Sequence, residues 1–124
     1  MSKMSYSEAL GTAMKIRMRE DPRVILFGED VGVMGGTYGV SQGMFEEFGP
    51  LRVRDTPISE NAFVGAAVGA AATGLRPIAE LMMSDFITVC MDQIVNQAAK
   101  MRYMFGGKIS VPVVIRMAAG AASS

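Results

Sequence analysis

Apolar positions at the start of the chain recur at helical intervals and then give way to short β-branched runs, and the two patterns alternate from there to the end. Ser5 and Glu8 form the S-x-x-E signature of a capped helix start, and Ala9, Leu10, Ala13, Met14 and Arg17 continue with helical spacing until Asp21 and Pro22 stop it. Residues 24–27, bounded by Pro22 and Gly28, predict a short buried strand. A glycine-rich loop, GEDVGVMGGTYG, leads from there into a short helix over about residues 40–48, closed by Gly49 and Pro50. Residues 52–55 predict a second strand, residues 61–73 a long helix stopped at Gly74, and residues 77–82 a third strand. A helix over 86–104, ended by Gly106 and Gly107, precedes a β-branched strand at 111–115. Strands alternating with helices predict an α/β sandwich around a mainly parallel sheet. No repeat or linker divides residues 1–124, so they read as one domain with one core; the only low-complexity stretch is the final AAGAASS.

Charge narrows the functional classes. Twelve basic and twelve acidic residues cancel, leaving no basic footprint for nucleic acid and no polybasic segment for a membrane surface. Half of the residues are hydrophobic, twelve of them Met, which is generous for a small domain. The excess points either to apolar surface reserved for a partner or to a tight alanine-rich core. Cys90 is the single cysteine, which excludes an internal disulfide framework and suits a reducing compartment. Its neighbours Ile87, Val89 and Ile94 suggest a buried thiol, and with no histidine in the chain it lacks the usual base for a nucleophile. The N-terminus has no signal-peptide core, and the longest nearly apolar run, 62–75, is shorter than the roughly 20 residues that span a bilayer. These features predict a soluble, cytoplasmic protein.

The densest chemistry lies in residues 52–80, RVRDTPISENAFVGAAVGAAATGLRPIAE. Glu60 stands at the mouth of an alanine and glycine helix, on or beside a Ser59 cap, where the helix dipole favours negative charge. By pattern alone, complementing that dipole is the simpler role for it. Gly65 and Gly69, four apart, suit close approach by another backbone. The glycine-rich loop lacks both the G-x-G-x-x-G order and a phosphate-binding lysine, and its acidic pair Glu29 and Asp30 would repel a diphosphate. It reads instead as a loop at the C-terminal edge of a strand, where open α/β sheets bind ligands. Asp85 is either a helix cap or a substrate contact. Arg102 complements a helix C-terminus with Tyr103 packed beneath it, and Met14, Met18, Met91, Met101 and Met104 fill core or interface.

The DTPISE block, the following GAAVGAAATGLRP and the later DQIVNQAAKMRYMFGGK resemble the beta subunit of the thiamine-diphosphate-dependent first component of 2-oxo acid dehydrogenase complexes. The wording ENAFVGAAVGAAATGLRPIAELMMSDF and NQAAKMRYMFGGK is most similar to the acetoin dehydrogenase branch. The resemblance runs from Ser5 to about Arg116 and loosens over residues 117–124. It implies a pyrimidine-binding fold in its N-terminal portion, with the remainder of that domain, a second domain and the family's essential histidine all beyond Ser124. It also implies that Glu60 hydrogen-bonds a ring nitrogen of the aminopyrimidine, that Phe86 packs on the ring and that Glu29 contributes near the partner subunit. Ile58, Ser59 and Met82 then form the walls, with Met82 standing where relatives carry glutamine. The implied partners are an alpha subunit that holds the diphosphate and its magnesium ion in a heterotetramer, and a lipoyl acyltransferase component that receives the acyl fragment. No metal ligand falls to this chain. The implied substrate is acetoin, with pyruvate or a branched-chain 2-oxo acid as the alternative. A noncatalytic interaction fragment is the reading from another class.

Overall fold

The computed structural model describes residues 3–120, so residues 121–124 of the low-complexity tail lie outside it. Helix α1, Tyr6–Glu20, starts on the capping box read from the sequence. Ser5 Oγ accepts the Glu8 amide at 3.3 Å, and the Glu8 carboxylate accepts the Ser5 amide at 2.7 Å. Asp21, in extended conformation, ends the helix. The remaining elements are β1 (Val24–Gly28), α2 (Met44–Phe48), β2 (Val53–Asp55), α3 (Glu60–Ala72), β3 (Arg76–Leu81), a 3-10 helix (Ser84–Cys90), a π-helical segment (Gln93–Ala98), α4 (Ala99–Met104) and β4 (Val114–Met117).

The four strands form one parallel sheet in the order β2-β1-β3-β4. Alternation along each strand sends side chains to two separate cores. On one face Met14 and Met18 of α1 and Met44 of α2 pack on Val24, Leu26, Val53 and Ile78. On the other, Phe63, Val64 and Ala67 of α3 pack with Ala79, Leu81 and Cys90. The result is a three-layer α/β sandwich with its sheet buried on both sides, as parallel sheets require. Arg52 ties two layers together: its guanidinium donates to the carbonyls of Met18 (2.7 Å), Asp21 (2.9 Å) and Val24 (2.8 Å), joining the end of α1 to the start of β1.

Several expectations are corrected. The predicted helix at 40–48 is shortened to Met44–Phe48, because Gly43 takes a left-handed conformation (φ 75°) and residues 40–43 form turns. The helix predicted at 86–104 begins earlier, at Ser84, and changes winding along its length. Three successive β-branched residues, Ile87, Thr88 and Val89, weaken α propensity where the tighter 3-10 form is seen. The last strand starts at Val114 because Pro112 has no amide to donate and the Val113 amide turns back onto the Val111 carbonyl at 2.9 Å. Tyr103 does not pack beneath Arg102; it is 89% exposed.

Candidate functional site

The site forms where the C-terminal ends of β1 and β2 meet the start of α3. Gly28 ends β1 with its α-carbon on the α1 side, so the next residue, Glu29, turns to the α3 side. The segment from β2 to α3 passes beside it, held by the Thr56 amide donating to the Gly28 carbonyl at 2.9 Å. Glu60 is the first residue of α3 and Glu29 lies across from it; they are 9% and 7% exposed. Ser59 occupies the cap position, yet its side chain makes no capping bond, contrary to the sequence expectation. Its carbonyl accepts the amides of Ala62 (2.9 Å) and Phe63 (3.0 Å), while its own amide faces the Glu29 carboxyl. The Glu29 carboxyl is raised above its ordinary value by burial first, then by the charges of Glu60 and Asp30, with the Ser59 amide opposing them. Glu29 Oε1 and Thr56 Oγ1 are buried without a hydrogen-bond partner.

The 3-10 helix closes the other side. Cys90 is fully buried, and its Sγ donates to the carbonyls of Ile87 (3.4 Å) and Phe86 (3.9 Å). Burial pushes its thiol up, with the charge of Glu60 adding a smaller push, and Cys90 packs with Phe63, Val64 and Ala67 of the helix that Glu60 begins. The structure therefore brings Glu29, Ser59 and Glu60 together and packs the element that carries Phe86 against the helix that Glu60 begins. Met82, just past β3, and Phe86 are half-buried. Ile58 is 84% exposed and encloses nothing within this chain. Asp55, Thr56 and Cys90 were missed as parts of the site; the first two sit inside the DTPISE block that carries Glu60, which was the available signal.

Gly65 and Gly69 part company: a Cβ on Gly65 would lie 3.0 Å from Gln93 Oε1, whereas nothing lies within 4 Å of one on Gly69. Gly65 thus admits the π-helical segment and Gly69 faces open space. On the α1 side of the sheet, Glu80 and Arg116 form an ion pair with side chains only 6% and 14% exposed. A cavity of about 780 Å³ opens beside it, lined by Tyr6, Tyr38, Met83, Asp85 and Met117 among others, and holds none of Glu29, Ile58, Ser59, Glu60, Met82 or Phe86. Among the described residues no cluster of three or more His, Cys, Asp or Glu side chains is placed to hold a metal, and no helix is long and apolar enough to cross a membrane.

A family profile described as the transketolase pyrimidine-binding domain matches residues 2–124. The chain is 52% identical over 130 residues to the beta subunit of an acetoin:2,6-dichlorophenolindophenol oxidoreductase of Bacillus subtilis, an alignment covering 95% of this chain and 38% of that protein. It is 47% identical to the 2-oxoisovalerate dehydrogenase subunit beta of the same organism, over 94% of this chain and 36% of that one. To the pyruvate dehydrogenase E1 component subunit beta of Rickettsia bellii it is 51% identical, over 97% and 37% respectively. The chain spans less than two fifths of the length of each of these curated relatives. Among solved structures, a split-gene transketolase in an inactive beta4 tetramer superposes with a TM-score of 0.59 at 22% identity, covering 77% of this chain and 30% of that one. At that identity the likeness concerns the fold alone.

Proposed function

The chain belongs to the family of transketolase pyrimidine-binding domains, and from that premise we propose that it is the N-terminal, aminopyrimidine-binding part of the beta subunit of a thiamine-diphosphate-dependent acetoin dehydrogenase. The observation that carries the reading is the convergence of two buried acids, Glu29 and Glu60, at the C-terminal edge of the sheet. The similarity to the acetoin enzyme's beta subunit supports the substrate, with the 2-oxoisovalerate and pyruvate enzymes as the runners-up.

The residues fit the cofactor's flat, nitrogen-bearing ring. Such a ring needs a few polar groups in a mainly apolar crevice, and Glu29 Oε1 and Thr56 Oγ1 are buried polar atoms left without partners. Glu60 would hold a proton at the ring nitrogen. Its position at the first turn of α3 keeps the residue buried at the mouth of the helix. Phe86 would lie on the ring face, Met82, Ser59 and Ile58 would wall the ring, and Glu29 would stand at the subunit edge. Ile58, so exposed in the lone chain, suits a wall completed by a second subunit. When bound, thiamine diphosphate supplies a carbon nucleophile and an electron sink for cleaving the bond next to a carbonyl. In this reading an alpha subunit holds the diphosphate and its magnesium ion in a heterotetramer, and a lipoyl acyltransferase component takes up the two-carbon fragment. We place the enzyme in the cytoplasm, whose reducing conditions suit the free thiol of Cys90.

The test is reconstitution with the alpha subunit of an acetoin dehydrogenase, followed by calorimetric titration with thiamine diphosphate and magnesium. Glu60→Gln should leave assembly intact and slow exchange of the cofactor's reactive proton by ~10² to 10⁴. Normal exchange in that variant would return Glu60 to the role of a helix-dipole partner. A wild-type pair that bound no cofactor would leave a noncatalytic interaction module, a reading favoured by the exposure of Ile58, Tyr103 and Met104.

A further inference from the structure

We propose that Asp55 is a positioning residue: its carboxylate clamps Gly32 and thereby fixes the loop that delivers Glu29 beside Glu60. The inference rests on the reading of these two acids as the cofactor-facing pair.

Asp55 is the last residue of β2 and pairs in register with Gly28, the last residue of β1. Both therefore present the same face of the sheet, and the chain leaving Gly28 must pass over Asp55. The Gly32 amide donates to Asp55 Oδ1 at 2.7 Å, the length of a charge-assisted bond. A Cβ on Gly32 would collide with Asp55 Oδ2, so the approach is one that only glycine permits.

The conformation being held is an unfavourable one. Asp30 has φ 56°, the only described non-glycine residue with positive φ, and it lies directly after Glu29. Aspartate tolerates this region better than most side chains but adopts it in a minority of cases, so contacts around it select it. Two contacts do so here. The Gly36 amide closes the turn on the Asp30 carbonyl at 2.7 Å, and the Asp55 clamp holds the chain two residues further on. The far limb of the loop rests against the sheet at Gly36, where a Cβ would lie 3.0 Å from both Glu80 Oε1 and Ser41 Oγ. Without Asp55 the near limb loses its side-chain hydrogen bond to β2, and Glu29 loses its fixed approach to Glu60.

The clamp can be read without cofactor, by NMR on the full 124-residue chain. Asp55→Ala should speed amide exchange at Gly32 roughly 10-fold or more. It should also lower the titration of the Glu29 carboxyl, followed by a carbon-13 label, toward that of an ordinary carboxylate. The groups facing that carboxyl are Glu60, Asp30 and the Ser59 amide. Asp55→Asn keeps an oxygen acceptor and should restore both signals, which a loss of surface charge alone would not explain. Unchanged Gly32 exchange or an unmoved Glu29 titration in Asp55→Ala overturns the proposal, as does an Asn variant that behaves like Ala. Should Asp55→Ala fail to fold, Gly32→Ala carries the test from the other side of the clamp. It must shift Glu29 in the same direction, and no shift overturns the proposal. Thiamine diphosphate binding by the reconstituted wild type reports on the functional reading separately, so its absence would leave the clamp result standing.

Discussion

Glu60, on the first turn of α3, raises the carboxyl of Glu29, which leaves the end of β1 on the same side of the sheet. Burial is the larger cause, and the two effects act in one direction because each disfavours a second negative charge in a poorly hydrated place.

The pair makes a prediction about pH. A raised carboxyl keeps its proton in the folded state above the ordinary value of 4.5, so its stabilising contribution is complete below that pH and is lost as pH rises through the folded value. Glu29→Gln should therefore melt higher than wild type at neutral pH and alike below pH 4.5. Glu60→Gln should bring the Glu29 titration down without returning it to normal, since burial remains. Thermal melts across pH and carboxyl NMR check both, and a Glu29 titration indifferent to Glu60→Gln would separate the two acids.

Asp21 behaves in the opposite sense. The Arg23 guanidinium grips both its oxygens, at 2.9 and 2.8 Å, the Arg23 amide adds a third bond at 2.9 Å, and Arg76 stands nearby. Together they hold the carboxyl at about 2, against an ordinary 3.8. Its contribution is present above 3.8 and disappears as pH falls through about 2. Asp21→Asn should lower stability at neutral pH, converge with wild type as pH falls through about 2, and so flatten the acid limb of the stability curve, as read by circular dichroism in acid titrations.

Arg52 offers a test of the junction between α1 and β1. Arg52→Met removes the donors that satisfy three carbonyls and should cost about 1–3 kcal/mol in urea denaturation. Arg52→Lys should recover little of that loss, because a single ammonium cannot reproduce the planar fork or its stacking on Phe48 at 5.1 Å.

The two glycines of α3 should answer differently to alanine. Gly69→Ala gains helix propensity with nothing to displace and should stabilise by ~0.5–1 kcal/mol. Gly65→Ala gains the same propensity but must move the Gln93 side chain, so its net effect should stay smaller. Equal stabilisation in both would mean that Gln93 yields freely.

Element type was legible wherever a strong local period existed. The apolar runs of β1 and β3, the capped start of α1 and the alanine-rich α3 stand where their patterns put them, to within a residue or so at each end. What the pattern missed was set by backbone chemistry at single positions: the left-handed Gly43, the amide-less Pro112 and the β-branched trio inside the 3-10 helix. The resemblance singled out Glu29 and Glu60 individually. Their meeting was not legible, because it depends on β2 lying beside β1, a long-range pairing that no local spacing encodes. Likewise Asp55 looked like the end of a strand, and its bond to Gly32 becomes visible only once the loop is folded over it.

Asp55, Gly28, Glu80 and Arg116 lie on one rung running across all four strands. Acid, blank, acid and base follow in that order, and the blank is the place from which the glycine-rich loop departs. Since successive residues of a strand point to opposite faces, a slip of β1 by a single position would carry Glu29 to the methionine-lined face and strand Glu60 without its counterpart. The strand that contributes almost no chemistry of its own is thus the ruler for the whole site. Core substitutions in Leu26 or Val24 that loosen its seating should be felt first as misplacement of an acid, well before the protein unfolds.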